Sequence, residues 1–379
     1  MLATKKVTLN LTALESRALM ATNVLGVASG YNGFFFNNYD ASYSDVQGKL
    51  AAGGNVSLTG YSVGDKISNA GPELVVGGNL NFTNGQVDGG GVTYGGTLTT
   101  KWFGTNGGTI SQKSGVVDFA AAQASLTSTS EALANKPSNG TVVNQWGGLI
   151  LTGTSTGTNY FSLNASQLSS SWGITINAPA GSTVIVNVHG MSASMKFMGF
   201  QLQGGVTADH VLLNFVDAQS LVLDGVGIQG SILAPNANVK FDNGQINGTL
   251  VANSMCGYGQ LNWVPPNIEV CGCLYNPTQP ASLSGSISTS ICGCGQVHVQ
   301  LINQTTGAVV GDVMVSKGGT FSFAAVPPGV YKLTASRAHG TIHATAGNAG
   351  GNLMAGDTAT IYNIDLTSGA KATGYSFGA

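Results

Sequence analysis

Of the chain's 379 residues, 56 are Gly, about twice the usual share, and only 8% are charged, against roughly 25% in an ordinary soluble domain. Yet 42% are hydrophobic, which excludes disorder, since that needs the opposite balance. A net charge of −2 with 14 Lys plus Arg spread along the chain excludes a basic nucleic-acid footprint or a polybasic membrane patch. No apolar run reaches the roughly 18 residues of a membrane span, and no Gly-X-Y period points to collagen. The length predicts two or three domains.

Residues 1–23 stand apart as an export-type segment. Lys5 and Lys6 resemble a short basic start, but Asn10, Thr12, Glu15, Ser16 and Arg17 interrupt what would be the apolar core of a secretory signal.

From residue 24 to 264, short apolar alternations bounded by Gly, Asn, Ser and Thr read as strands. They repeat. Gly53-Gly54-Asn55-Val56 recurs 24 residues later as Gly77-Gly78-Asn79-Leu80, and Gly95-Gly96-Thr97-Leu98 follows 18 later. Gly230-Ser231-Ile232-Leu233-Ala234 recurs 18 later as Gly248-Thr249-Leu250-Val251-Ala252. Phe82-Thr83-Asn84-Gly85-Gln86-Val87 resembles Phe241-Asp242-Asn243-Gly244-Gln245-Ile246. These periods fit the coils of a β-solenoid, with Gly at tight corners and Asn stacked in ladders. The alternative is a β-sandwich with repeated turn chemistry. One stretch departs from the pattern. Phe119, Ala122, Leu126 and Leu133 form a helical stripe within 116–135, with Ser114 as the expected cap and Asn135-Lys136-Pro137 as the stop. Such a helix suits the flank of a solenoid.

Residues 265–280 read as a Cys/Pro linker. Cys271-Gly272-Cys273 and Cys292-Gly293-Cys294 are separated by 18 residues. Cys271, Cys273, Cys292 and Cys294 are disulfide candidates that would clip the linker to the start of the second domain. A four-thiolate zinc site is the weaker alternative, because zinc ribbons usually carry Cys-x-x-Cys, and free thiols are the third. Cys256 is the odd one. Residues 281–379 form that second domain, a small β-sandwich, with strands expected at 284–288, 296–303, 308–315, 320–323, 329–335 and 360–366. The fold class is therefore mainly β: a solenoid with one flanking α-helix, then a prealbumin-like sandwich.

Several segments carry a family resemblance. Leu25-Gly26-Val27-Ala28-Ser29-Gly30-Tyr31-Asn32, Asp45-Val46-Gln47-Gly48-Lys49-Leu50, Leu74-Val75-Val76-Gly77-Gly78-Asn79-Leu80, Leu212-Leu213-Asn214-Phe215 and Gly230–Ala237 resemble the choice-of-anchor A family of bacterial surface proteins. That resemblance implies an adhesive, non-enzymatic domain on an exported protein. Leu14-Glu15-Ser16-Arg17-Ala18-Leu19-Met20 resembles the Leu-Glu-x-Arg-x-Leu-Leu motif of planctomycete-like exported proteins. Leu283-Ser284-Gly285-Ser286-Ile287, Val297–Ile302, Gly319–Phe323 and Val326–Leu333 resemble Cna-B-like and carboxypeptidase-regulatory-like sandwiches. Two features of such sandwiches are missing. Ser290–Gln296 replaces the Asp-x-Asn-x-Asn-Gly calcium loop, and no Lys near the first strand could form an isopeptide with Asn363. The tail carries no Leu-Pro-x-Thr-Gly signal, so wall attachment is not expected.

Catalytic patterns are sparse. Asp209-His210 and Asp217 lie close in sequence but read as turn or ladder-end residues, not as the paired carboxylates of a polysaccharide-cleaving enzyme. His339-x-x-x-His343 follows a strand, not a helix, and His189 and His298 are isolated. Gly89-Gly90-Gly91 lacks the Lys-Ser/Thr of a phosphate loop and reads as a corner. Tyr31, Tyr61, Tyr94 and Trp102 are scattered aromatics, more often core than site. The expectation is a non-enzymatic adhesion or matrix protein, extracellular or at the cell surface. No cofactor, metal, nucleic acid or membrane span is expected. Its partner would be an extracellular protein or glycan, met by the solenoid, with the sandwich as spacer. A polysaccharide-active solenoid enzyme and a passive ice or mineral binder are the alternatives.

Overall fold

The computed structural model describes residues 23–67, 71–270, 281–288, 296–304, 307–327, 329–337, 342–354, 357–366 and 371–378. The export-type motif at 14–20, Cys271, Cys273, Cys292, Cys294 and His339 lie outside the described residues.

The first unit is a β-solenoid. Each coil places a short strand on one wall and a longer, bent strand over the other two. Leu50–Ala52 precedes Val56–Val63, Pro72–Val76 precedes Leu80–Val87, and Gly91–Tyr94 precedes Leu98–Gly104. The neighbours are parallel and in register: Leu50 lies beside Leu74, Leu58 beside Phe82, and Phe82 beside Thr100. Alternate residues point inward, so Leu50, Leu58, Leu74, Val76, Leu80 and Phe82 stack as one buried core.

The Gly-Gly-Asn repeat sits at one corner. A Cβ on Gly77 would lie 2.2 Å from the Gly53 carbonyl oxygen, and one on Gly95 2.2 Å from that of Gly77. The corner backbones touch, and only Gly permits it. The asparagines beside them form the expected ladder. Asn38 Oδ1 accepts from the Asn55 backbone N–H at 2.8 Å, Asn55 Oδ1 from Asn79 at 2.9 Å, and Asn79 Oδ1 from Thr97 at 2.8 Å.

The coils do not follow one another from end to end. The first strand, Gly33–Phe35, lies between Leu50–Ala52 and the late residues Leu250–Ala252. The chain coils outward to Ile110–Gln112, and the helix Phe119–Ala134 carries it back to the far end. From there Thr158–Asn164, Thr183–His189, Val211–Phe215 and Ser231–Asn247 coil inward to close against the start.

The helix is the one expected, but it begins at Phe119, so Ser114 lies outside it and does not cap it. Ala122, Leu126 and Leu133 are buried along the stripe. The wall that bears its two ends carries an outward row, Asn187–Asn214–Leu233–Val251–Phe34–Ala51–Val75, every member buried. Phe119 packs on Phe34 with ring centroids 5.4 Å apart. At the other end Asn214 Nδ2 donates to the Ser130 carbonyl at 2.9 Å, and Asn187 Nδ2 to that of Leu133 at 3.0 Å. From Phe34 to Asn187 is four strand spacings, about 19 Å. Phe119 to Leu133 rises about 21 Å. The helix is therefore as long as the return path requires.

The solenoid continues to Val270, because Val24 N–H donates to the Ile268 carbonyl and Thr183 Oγ1 to that of Glu269. The second unit is a largely antiparallel sandwich, in which Ala281–Ile287 and Lys371–Gly378 pair in parallel. One sheet contains Ala281–Ile287, Thr320–Val326, His343–Thr345 and Lys371–Gly378. The other contains Val297–Asn303, Val309–Val315, Gly329–Ser336, Asn352–Met354 and Asp357–Leu366. Leu283, Val299, Leu301, Tyr331, Leu333, Ile361 and Phe377 fill the space between them. The strands at 343–345, 352–354 and 371–378 were not expected. The first two have only three residues each, and the last, rich in Gly and Ser, lacks a clean apolar alternation.

Candidate binding edge on the solenoid

The second and third walls meet at a corner where most coils insert one residue in a left-handed conformation, and Trp146 takes that conformation in the hairpin turn between Thr141–Gln145 and Gly148–Thr152. Tyr43, Asn84, Trp102, Trp146, Phe197 and Asn243 have φ between 47° and 55°, and Gly60 and Gly225 have φ of 60°. Register places these residues on one edge. In spatial order they run Trp146, Trp172, Phe197, Gly225, Asn243, Tyr258, Tyr43, Gly60, Asn84, Trp102. Nine strand spacings make this edge about 43 Å long.

Six of the ten positions are aromatic, and all six are exposed, from 45% at Tyr258 to 89% at Trp146. The left-handed conformation costs a non-glycine residue about 1–2 kcal/mol. Gly and Asn suit it, and four coils use them. Tyr43, Trp102, Trp146 and Phe197 instead place rings there, strained and open to water. Two of these rings lie on the corner glycine of the neighbouring coil: a Cβ on Gly60 would meet the Tyr43 ring at 2.9 Å, and one on Gly225 the Phe197 ring at 2.5 Å. All four rings nonetheless remain largely open to water despite that conformational cost. Charge there is modest: Lys101 lies 4.2 Å from the Trp102 ring centroid, and Asn243 Nδ2 donates to Asp224 at 3.1 Å.

Of the aromatics named from sequence, only Trp102 belongs to this edge. Tyr61 is buried and bonds Tyr39 Oη at 2.7 Å, Tyr31 packs on Phe34, and Tyr94 packs against the core. The rest of the edge was missed, although Trp146-Gly147-Gly148 and Trp172-Gly173 recur at coil spacing.

The sequence-flagged carboxylates do not converge. Asp217 faces His189 at 3.3 Å, and Asp209 faces His210 at 3.5 Å. Between them runs Val211–Phe215, about 17 Å of strand. A glycosidase pair needs about 5–9.5 Å. His298 meets Asp312 on the sandwich surface at 2.6 Å, and His343 lies on a separate strand. Among the described residues no three His, Cys, Asp or Glu gather as metal ligands. Cys256 is exposed and unpaired. Asn363, in a left-handed bulge, donates its backbone N–H to Gln304 Oε1 at 2.7 Å.

Glu73 is the one fully buried carboxylate among the described residues. Burial raises its pKa, and the Gly90 N–H and the Lys49 charge offset this in part. The folded chain thus holds this proton to a higher pH than the unfolded chain does. Stability should fall as pH rises from the ordinary carboxylate range, about 4.3, through the raised value, and then level off. Urea unfolding between pH 4 and 8 should show that Glu73→Gln flattens this slope. An unchanged slope would assign it to other groups.

Residues 24–263 match the family described as "Putative Ice-binding-like adhesive domain". Residues 282–349 match "BOS complex subunit NOMO1-like, second beta sandwich domain". No curated protein matches the chain. Among solved structures, the chain is similar to an ice-binding protein from the Antarctic ascomycete Antarctomyces psychrotrophicus, at 15% identity, covering 63% of this chain and 96% of that one, with a TM-score of 0.29. It is also similar to an ice binding protein from an Antarctic biological consortium, at 12% identity, covering 69% and 94%, with a TM-score of 0.31.

Proposed function

The chain belongs to the ice-binding-like adhesive domain family through residues 24–263, and on that premise we propose that it is a non-enzymatic adhesion protein acting outside the cell or at its surface. The solenoid binds an external ligand, and the sandwich serves as spacer. The observation that carries the reading is the edge of exposed, conformationally strained aromatics running the length of the solenoid. The choice-of-anchor A resemblance, with its surface-protein context, points the same way.

Arrays of glycans and matrix proteins probed separately with residues 24–264 and 281–379 test the proposal. Binding should stay with the first fragment and depend weakly on salt, because few ion pairs are there to be screened. Binding retained only by the second fragment would overturn it.

Ice binding is a second reading, favoured by a separate observation. On the second wall, Ser42, Thr59 and Thr83 stand in one registered row, beside Ser57, Asn81 and Thr99 in the next. The ladder forms across coils, so no Thr-x-Thr run marks it in the sequence. A thermal-hysteresis assay on Thr59→Tyr and Thr83→Tyr variants separates the readings: hysteresis lost with these substitutions favours ice, and its absence in the wild type favours adhesion.

A further inference from the structure

At the end of the aromatic edge the third wall forms a small sheet: Thr141–Gln145, Gly148–Thr152, Gly173–Asn177 and Gly199–Gln203. Its inward residues, including Leu149, Leu151, Ile174 and Ile176, belong to the core. Its outward side is a groove of about 210 Å³. Three registered glycines, Gly148, Gly173 and Gly199, make a floor without side chains. Trp172 lies over that floor, since a Cβ on Gly148 would come within 2.7 Å of its ring. Its Nε1 donates to the Trp146 carbonyl at 2.8 Å, which fixes the ring's orientation. Trp146 stands beside it, the most exposed large hydrophobic residue among those described. Ile150, Thr175 and Gln201 line the next row, and Gln145 closes the near side.

Resting on the adhesion reading above, we infer that this groove is a binding site for a neutral saccharide. A sugar ring has an apolar C–H face and a rim of hydroxyls. Two indole rings, one of them pinned, supply flat apolar surface at low entropic cost. The amides of Gln145 and Gln201 and the hydroxyl of Thr175 supply donors and acceptors for the rim. No Asp, Glu, Lys, Arg or His lines the groove, which matches an uncharged occupant and disfavours an anionic polysaccharide or an ammonium ligand. Its volume is below the roughly 300–1,000 Å³ of an enclosed drug-sized site. An open groove of this size suits one unit of a longer glycan passing through. A carboxylate able to protonate a glycosidic oxygen is absent from the lining, so the site holds the glycan and does not cut it.

The test is affinity electrophoresis of the full chain in gels containing laminarin, hydroxyethyl cellulose, soluble starch or mannan, with alginate as the acidic control. At least one neutral polymer should retard the wild type, and Trp172→Ala should weaken that retention about tenfold or more. Gly199→Leu should do the same by filling the floor. A Cβ there meets nothing within 4 Å, and a melting temperature read beside the wild type shows that the variant is folded. Met314→Ala, an exposed residue on the sandwich and outside the edge, should be retained like the wild type. Retention by alginate alone, or equal retention of the wild type and both groove variants, would overturn the assignment. No retention by any neutral polymer, from a chain that still binds matrix proteins on arrays, would overturn the saccharide site and leave the adhesion reading standing.

Discussion

Gly77→Ala should destabilise the solenoid by about 3 kcal/mol, while Gly104→Ala should be close to neutral. The added methyl at Gly77 would sit 2.2 Å from the Gly53 carbonyl oxygen. The obstacle is backbone, not a side chain that can swing away. Both glycines belong to ladders that register the coils, so relief in one coil would displace its neighbours. At Gly104, by contrast, the methyl meets nothing within 4 Å. Urea unfolding of the two variants beside the wild type gives the comparison. Equal stabilities would mean that the coils are spaced more widely than described.

Asn214→Ala should cost about 3 kcal/mol, through orphaned polar groups and not through lost volume. The Asn214 side chain donates to the Ser130 carbonyl at 2.9 Å and to Asn187 Oδ1 at 2.8 Å, and accepts from Ser130 Oγ at 2.6 Å, all in the interior. Removing it strands Ser130 Oγ and Asn187 Oδ1 without water. Replacing all the partners, in Asn214→Leu with Asn187→Leu and Ser130→Ala, should recover most of the loss, because no buried polar side chain is then left unpaired. The Leu133 carbonyl would keep its bond from the Lys136 N–H. If the triple variant is no more stable than Asn214→Ala, the polar cluster holds the helix by a geometry that apolar packing cannot replace.

The architecture was legible where one residue type had one use. Gly53, Gly77 and Gly95 recur because corners in contact admit nothing larger, so their spacing gave the coil length directly. The helical stripe was legible through Leu126 and Leu133, although Ser114 misled as a cap because four further residues separate it from the helix. The coil order was not legible. Local periodicity cannot reveal that Gly33–Phe35 pairs with Leu250–Ala252, more than two hundred residues away. The binding edge was hidden for a related reason. Tyr43 and Tyr61 look alike in sequence, each in a short polar-apolar alternation. One lies at the left-handed corner and points outward, and the other falls one step past it and is buried. A single inserted corner residue reverses which side chains face the core.

Substitution at that corner tests whether the aromatic edge serves adhesion and not the fold. The measurement is surface adhesion of a full chain carrying Tyr43→Asn, Trp102→Asn, Trp146→Asn and Phe197→Asn, with its melting temperature read in parallel. Asn occupies the same corner in two native coils, at Asn84 and Asn243, and suits the left-handed conformation better than a ring does. The melting temperature should equal or exceed that of the wild type, with adhesion reduced about tenfold or more. A variant that adheres as strongly as the wild type would contradict it.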